Sequence, residues 1–501
     1  MGLFKWVSLS SKYAGRVNAP QFPDGVDWIN TPRPLKLGDL AGKLVILDFW
    51  TYCCINCLHI IPILRALERK YPEEIAVVGV HTAKFDQERE TENIRQAILR
   101  YGVSHPVIND ADKRVWNAYA VHSWPTLMFV DPFGKVIGRF EGELAYDQAV
   151  TLIDEMLAEF KTAGTLKPSP AIGQLEQVER SVLSYPGKVL ADVENDRLFI
   201  SDSGHHRVLV TDLDGAIQTV IGSGIQGLAD GVLEGAQFNR PQGLALFGEM
   251  LYVADTENHA IRYVDLEVGI VETIAGTGYQ GVGHVEGGAA LEVNLRSPWD
   301  LALAGRSLHV AMAGSHQIWT LNLDTHIMQA TVGVGVEGLV DGPPEEAVLA
   351  QPSGICADED YVLFFVDSES SSVRFADSLS AHQVATFAGD GLFVFGDVDG
   401  EASVARFQHP LGIDYLGGHL FVADTYNHKI RRLGTETLTV STLAGNGELG
   451  AQDGPMRSAS FYEPGGVCAT DDRIYVADTN NNTIRVIDLA TEMVSTLEVD
   501  F

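Results

Sequence analysis

Apolar and polar positions alternate in blocks of changing period along the first third of the chain. Leu44 to Trp50 is apolar except for Asp48, the pattern of a strand buried on both faces. Leu58 to Glu68 repeats its apolar positions at helical spacing, so a strand at 44–50 leads into a helix at 55–70. The same reading predicts a strand at 75–80, a helix at 88–101, a loop around Pro106 and a short helix at 111–119. A strand at 127–130, a turn at Asp131-Pro132-Phe133-Gly134, a strand at 135–140 and a helix at 146–160 complete the block. Strands separated by helices imply a central sheet covered on both faces. Residues 1–34, rich in Pro, Asn and Gly, are expected to be an irregular lead-in, and the Gly- and Pro-containing stretch 163–175 a linker.

From Tyr185 the pattern changes to a repeat. A proline opens each unit at Pro186, Pro241, Pro298, Pro352, Pro410 and Pro464, at intervals of 55, 57, 54, 58 and 54. Gly243, Gly354, Gly412 and Gly466 follow at the second position after the proline. An apolar strand then ends in Asp202, Asp255, Asp367, Asp424 or Asp478, and Met312 breaks this series. A further strand follows, then a last one ending in glycine, as in Thr273-Ile274-Ala275-Gly276. These units resemble NHL repeats, and six four-stranded units closing a ring imply an all-β six-bladed propeller over 176–501. Leu175 to Leu183 is a candidate outer strand for the last blade. His206, His259, His316 and His428, with Ser371 and Asn482 at the same register, are expected to bond their own turn backbone. Cys356 and Cys468 are expected as small buried core residues on innermost strands.

Length and charge support the division. A chain of 501 residues exceeds what one core normally holds. Residues 1–165 carry 18 Lys and Arg against 20 Asp and Glu, a net of −2, whereas residues 166–501 carry 17 against 47, a net of −30. So acidic a surface repels phosphate backbones, which argues against nucleic acid as a partner. No apolar run reaches the 18 or more residues of a membrane span, so no membrane partner is expected. Five cysteines, three of them in one nonapeptide, are not a secreted disulfide framework, and a cytoplasmic location follows as the default.

The chemistry concentrates at Cys53-Cys54-Ile55-Asn56-Cys57, where the buried strand turns into the helix. Unpaired N–H groups and the positive end of the dipole at a helix start favour an anion, which makes Cys54 the expected nucleophile. Cys57, one turn on, is the expected resolving thiol. His81 and Lys84 follow the second strand at its carboxyl end, where ligands gather in α/β sheets, and could tune the dithiol. Other readings stay open here. Cys53, Cys54, Cys57 and His59 could ligate a metal, although no second Cys-X-X-Cys exists to close a structural site. Cys53, Cys57 and His122 would also suit copper delivery.

This block resembles the thioredoxin fold over residues 35–162. The resemblance implies that Asp48 is the buried acid that moves the second cysteine's proton, and that Pro62 kinks the helix. It also implies that Trp124-Pro125-Thr126 is the cis-proline loop facing the dithiol, with Trp124 and Cys53 as accessory residues. Ile55-Asn56 departs from the family's usual Gly-Pro, and Cys53 stands where Trp is usual. The stretch 81–120 is longer than a minimal thioredoxin needs, as in peroxiredoxin-like and extracellular-reductase-like branches. A thioredoxin-like domain joined to an NHL propeller resembles the NHL-repeat-containing protein 2 family, whose animal members carry a further C-terminal β domain. No function of that domain is carried over to this chain, which ends at Phe501. The expectation is a thiol–disulfide oxidoreductase without cofactor or bound metal, whose propeller holds a protein substrate bearing a disulfide. The alternative is a non-catalytic interaction scaffold with a redox-sensing or vestigial dithiol.

Overall fold

The computed structural model describes residues 12–170, 172–173, 175–176, 181–283, 285, 287–377 and 381–500. They fall into two compact units, residues 1–179 and 180–501.

The first unit is a seven-stranded sheet with helices on both faces. Two short strands, β1 (Val17–Asn18) and β2 (Trp28–Ile29), precede β3 (Leu44–Trp50), β4 (Ile75–His81), β5 (Val107–Asn109), β6 (Thr126–Val130) and β7 (Lys135–Glu141). The order is β1-β7-β6-β3-β4-β5-β2, with β3, β4 and β5 parallel and the other pairs antiparallel. The helices are α1 (Ile55–Lys70), α2 (Thr91–Tyr101), α3 (Arg114–Ala118) and α4 (Tyr146–Thr162). β3 is central and buried along its whole length, which explains its near-continuous apolar run. Leu44 and Ile46 pack on α1 and α4, whereas Val45, Leu47 and Phe49 pack on the opposite face with Val115 and Trp116 of α3.

Three expectations change. The loop around Pro106 contains a strand, β5, whose three residues are too few to show a period. The lead-in is tied to the sheet: Val17 pairs with Val136, and Trp28 with Ile108. Part of the expected linker also lies against this unit. Lys167 N donates to Gly42 O at 2.8 Å, Ser169 N donates to Glu73 O at 3.2 Å, and the Lys43 ammonium donates to the Ser169 carbonyl.

The second unit is a six-bladed β-propeller. Its innermost strands are Val189–Asp192, Pro241–Phe247, Pro298–Ala304, Pro352–Ala357, Gly412–Leu416 and Pro464–Ala469. Each blade has four antiparallel strands, and in four blades a two-residue strand from the preceding loop adds a fifth.

The repeated turn residues bond their own turn through the backbone, each N–H donating to the carbonyl three residues back, while their side chains bond the next blade. His206, His259, His316 and His428 lie in the left-handed region, and each Nδ1 accepts the N–H of the residue before the next blade's proline, at 3.0–3.2 Å. The Ser371 hydroxyl accepts from His409 N in the same way, and Asn482 Oδ1 from Tyr185 N at 2.7 Å. That last bond closes the ring from the sixth blade to the first. Thr479 repeats the closure, donating to Pro186 O at 2.8 Å as Thr256 does to Pro298 O. Asp500 O accepts from Ile217 N at 2.8 Å, joining the chain end to the first blade's outer strand. The candidate strand 175–183 falls partly on residues 177–180, outside those described; Leu183 is buried between the first and last blades. Cys356 and Cys468 are buried thiols, as expected.

Candidate active site

Cys54 caps α1 in an extended conformation, and its carbonyl accepts the first helical bonds from Cys57 N at 3.0 Å and Leu58 N at 3.1 Å. One turn of helix therefore sets the Cys57 thiol beside that of Cys54. All five cysteines are free thiols. Cys54 is 4% exposed and Cys57 1%. Burial, then the contact with Cys54, push the Cys57 thiol well above its ordinary range, and the charge of Asp48 adds to this. A thiol held that firmly needs a base before it can attack.

Asp48 lies on the α1-facing side of β3. It is 1% exposed, and its Oδ1 has no hydrogen-bond partner. Burial pushes its carboxyl up to about 7, with a charge on His105 pulling the other way. At that value it exchanges a proton near neutrality. Thr126, the first residue of β6, pairs with Phe49, so Pro125 stands at the end of the sheet where β3 enters the dithiol loop. The Trp124–Pro125 peptide is cis, and Pro125 O accepts from Gly142 N at 2.9 Å.

The accessory residues take roles the sequence did not separate. His81 is buried behind the loop, where its Nε2 accepts from Tyr52 N at 3.3 Å and its ring stacks on Tyr52. Burial lowers it to about 4, so it is a neutral acceptor at pH 7. Lys84 places its ammonium 5.4 Å from the Trp124 ring, and Trp124 Nε1 donates to Thr82 O at 3.1 Å. Cys53 turns inward, its thiol 3.8 Å from the Thr51 hydroxyl.

Sequence reasoning missed Glu88. Its Oε1 accepts from Thr51 Oγ1 at 2.6 Å and Cys53 N at 2.9 Å; its Oε2 accepts from Lys84 N at 2.8 Å and Phe85 N at 3.0 Å. Burial alone would raise this carboxyl, yet it is held below the ordinary range. Because His81 is neutral, the four donors do the holding. Glu88 thus pins the dithiol loop to the segment after β4. No local pattern points to this role, since the bonds to Cys53 and Thr51 span 35 and 37 residues.

The metal readings find no support in this geometry. His59 Nδ1 bonds Glu143 Oε1 at 2.6 Å, and among the described residues no cluster of three or more His, Cys, Asp or Glu is placed to hold a metal ion.

Comparison with known proteins decides the family. The Thioredoxin-like family profile matches residues 42–136, and the NHL repeat profile matches 407–433 and 461–487. Human NHL repeat-containing protein 2 is 41% identical over 521 residues, covering 96% of this chain and 72% of the human one. The chain belongs to the NHL repeat-containing protein 2 family. It is also similar to Arabidopsis thaliana Protein SUPPRESSOR OF QUENCHING 1, chloroplastic, at 44% identity over 94% of this chain and 46% of that protein. Over 116 residues it is 30% identical to the thiol-disulfide oxidoreductase ResA of Bacillus anthracis, covering 23% of this chain and 65% of ResA. The match to the human protein spans both units of the chain. Among its described residues no helix is long and apolar enough to cross a membrane.

Proposed function

We propose that the chain is a cytoplasmic thiol–disulfide oxidoreductase acting through Cys54 and Cys57, with the propeller binding the protein that carries the disulfide. The observation behind this reading is the set Cys54, Cys57 and Asp48: a thiol at a helix start, a second thiol one turn on, and a buried carboxyl whose Oδ1 has no hydrogen-bond partner. Cys54 Sγ attacks one sulfur of the substrate disulfide, whose S–S bond breaks, and the other sulfur leaves as a thiolate. Asp48 takes the Cys57 proton as Cys57 Sγ attacks Cys54 Sγ, breaking the mixed disulfide and releasing the second substrate thiolate. Two electrons pass to the substrate, the chain is left with a Cys54–Cys57 disulfide, and an external dithiol restores it. The thiol–disulfide oxidoreductase among its relatives supports the assignment.

The burial of Cys54 favours a second reading, an interaction scaffold with a silent dithiol, because exchange requires that a substrate reach the sulfur. Reduction of insulin disulfides with dithiothreitol as donor separates the two. The oxidoreductase reading expects catalysis by the parent chain and a rate at background for Cys54→Ser; equal rates would establish the scaffold.

The propeller supplies a recognition surface at the loops that follow each blade's last strand. Three residues beyond the closing glycine, Ile225, Tyr279 and Val336 stand exposed, and Phe393 stands exposed one position later in the next blade. With the acidic excess of residues 166–501, these side chains fit a partner with an apolar centre and a basic rim.

A further inference from the structure

We infer that His105 and Glu68 form the route by which the Asp48 carboxyl exchanges its proton with solvent, behind the sheet and away from the substrate side of the dithiol. The inference rests on the oxidoreductase reading and adds two positioning residues to it.

Asp48 is paired with Gly79 in the parallel ladder of β3 and β4. Gly79 faces α1, as Ile75 and Val77 do on the same strand. A Cβ at Gly79 would meet Trp50 Nε1 at 3.0 Å and His105 Nε2 at 3.4 Å. The imidazole therefore reaches the space that a side chain at position 79 would fill, next to Asp48. Its other nitrogen, Nδ1, lies 3.4 Å from Glu68 Oε2, which also accepts from Ser104 Oγ at 3.1 Å. Cys57, Leu64 and Glu68 share the sheet-facing side of α1, so one helix carries the resolving thiol at one end and the acid at the other.

A cavity of about 110 Å³ adjoins this chain of groups, lined among others by Glu68, Ser104, His105 and Val77. That volume holds several waters, and these three polar side chains can bond them. His105 lines the cavity and Asp48 does not, so of the two it is the imidazole that meets this space. The Glu68 side chain is 23% exposed and His105 3%, which puts the solvent end at Glu68. A protonated imidazole at this place would favour the ionised Asp48 carboxyl, opposing the burial that raises it.

Among the other polar groups on this side, Trp50 Nε1 is buried without a hydrogen-bond partner and carries no transferable proton near neutral pH. Cys54 and Cys57 form the dithiol itself, and the Tyr71 hydroxyl bonds Asp154 at 2.7 Å. His81 is held neutral by burial, and Asn30 Nδ2 donates to the His105 carbonyl at 3.2 Å, which fixes the backbone. Imidazole passes a proton by gaining it on one nitrogen and losing it from the other. The Cys57 proton goes to Asp48 as Cys57 attacks, from Asp48 to His105 Nε2, and from Nδ1 to Glu68 and water. No oxidant or reductant enters this step.

The test is reduction of 5,5′-dithiobis(2-nitrobenzoate) by the reduced full-length chain, followed by stopped flow from pH 5.5 to 8.5. The second thiolate released reports the Cys57 step. His105→Ala should slow that step by roughly ten-fold or more, leave the first release unchanged, and regain rate with added imidazole but not with salt of equal ionic strength. Glu68→Gln, at a partly exposed site, should slow the second release with a changed pH profile even if His105→Ala fails to fold. Unchanged second-release rates in both variants, or a loss in His105→Ala that imidazole does not restore, would overturn the inference. A parent chain that releases no thiolate would overturn the oxidoreductase reading and this inference together.

Discussion

At the scale of single residues, Asp48 carries a stability signature that does not depend on activity. Its carboxyl is raised by burial from 3.8 to about 7. Between these values the folded chain holds a proton that the unfolded chain has lost. The stabilisation from that proton is complete below about pH 4 and disappears as pH rises through about 7. Asp48→Asn removes the penalty of the buried charge, so its stability relative to the parent should increase from pH 4 to pH 8. The increase should approach about 4 kcal/mol, from three units at 1.36 kcal/mol each. Denaturant unfolding of the first unit at both pH values checks this, and a difference that is flat with pH means Asp48 is already ionised at pH 4. Cys54, Cys57 and Asp48 were legible in the sequence because strand, turn and helix start are consecutive there. Glu88 and His105 were not, because each reaches the site through tertiary packing, Glu88 from the start of the expected helix at 88–101 and His105 from the loop before Pro106.

Single elements show how the propeller repeat tolerates exchange. In four blades a fully buried arginine joins the turn aspartate to an aspartate of the preceding loop. Arg431 Nη1 donates to Asp424 Oδ2 at 2.8 Å and Nη2 to Asp399 Oδ1 at 2.6 Å; Arg262, Arg374 and Arg485 do the same. Each guanidinium lies over a phenylalanine, Phe407 in the case of Arg431. The third blade has Met312 and Trp319 at the two equivalent positions, both buried. An apolar pair thus replaces the ion pair as a unit, which explains why Met312 broke the aspartate series without breaking the blade. Arg431→Met alone should cost about 3–5 kcal/mol, because it leaves Asp424 charged and buried. Asp424→Met with Arg431→Trp should recover most of that loss in chemical unfolding, and a double variant no better than the single would tie the fifth blade to its charges. The period made blade number and strand order readable, since six copies average out local noise. The bonds between blades were not readable, because turn residues look the same whether they bind their own turn or the next one.

At the scale of the whole molecule, charge and exposed apolar surface divide unequally between two units that share one chain. The first unit is nearly neutral and holds the dithiol, while residues 166–501 carry a net −30 and the exposed Tyr279 and Phe393. Thiolate exchange discriminates little between accessible disulfides, so selectivity has to come from elsewhere. A second binding surface on the same chain raises the local concentration of one partner without altering the exchange chemistry. Cys57→Ser should trap the partner, because the mixed disulfide on Cys54 then lacks its resolving thiol. From native lysate, the full-length trap should give one or a few species on a non-reducing gel, all lost on reduction. Adding Tyr279→Ser and Phe393→Ser, two exposed positions whose exchange leaves the blade cores intact, should broaden or empty that set while insulin reduction in the Cys57-containing background stays unchanged. High salt should weaken capture in the same direction, since it screens the acidic surface. If the substituted trap holds the same species in the same yield, those loops take no part in choosing the substrate, and selectivity must lie in the rim around Trp124 and Lys84.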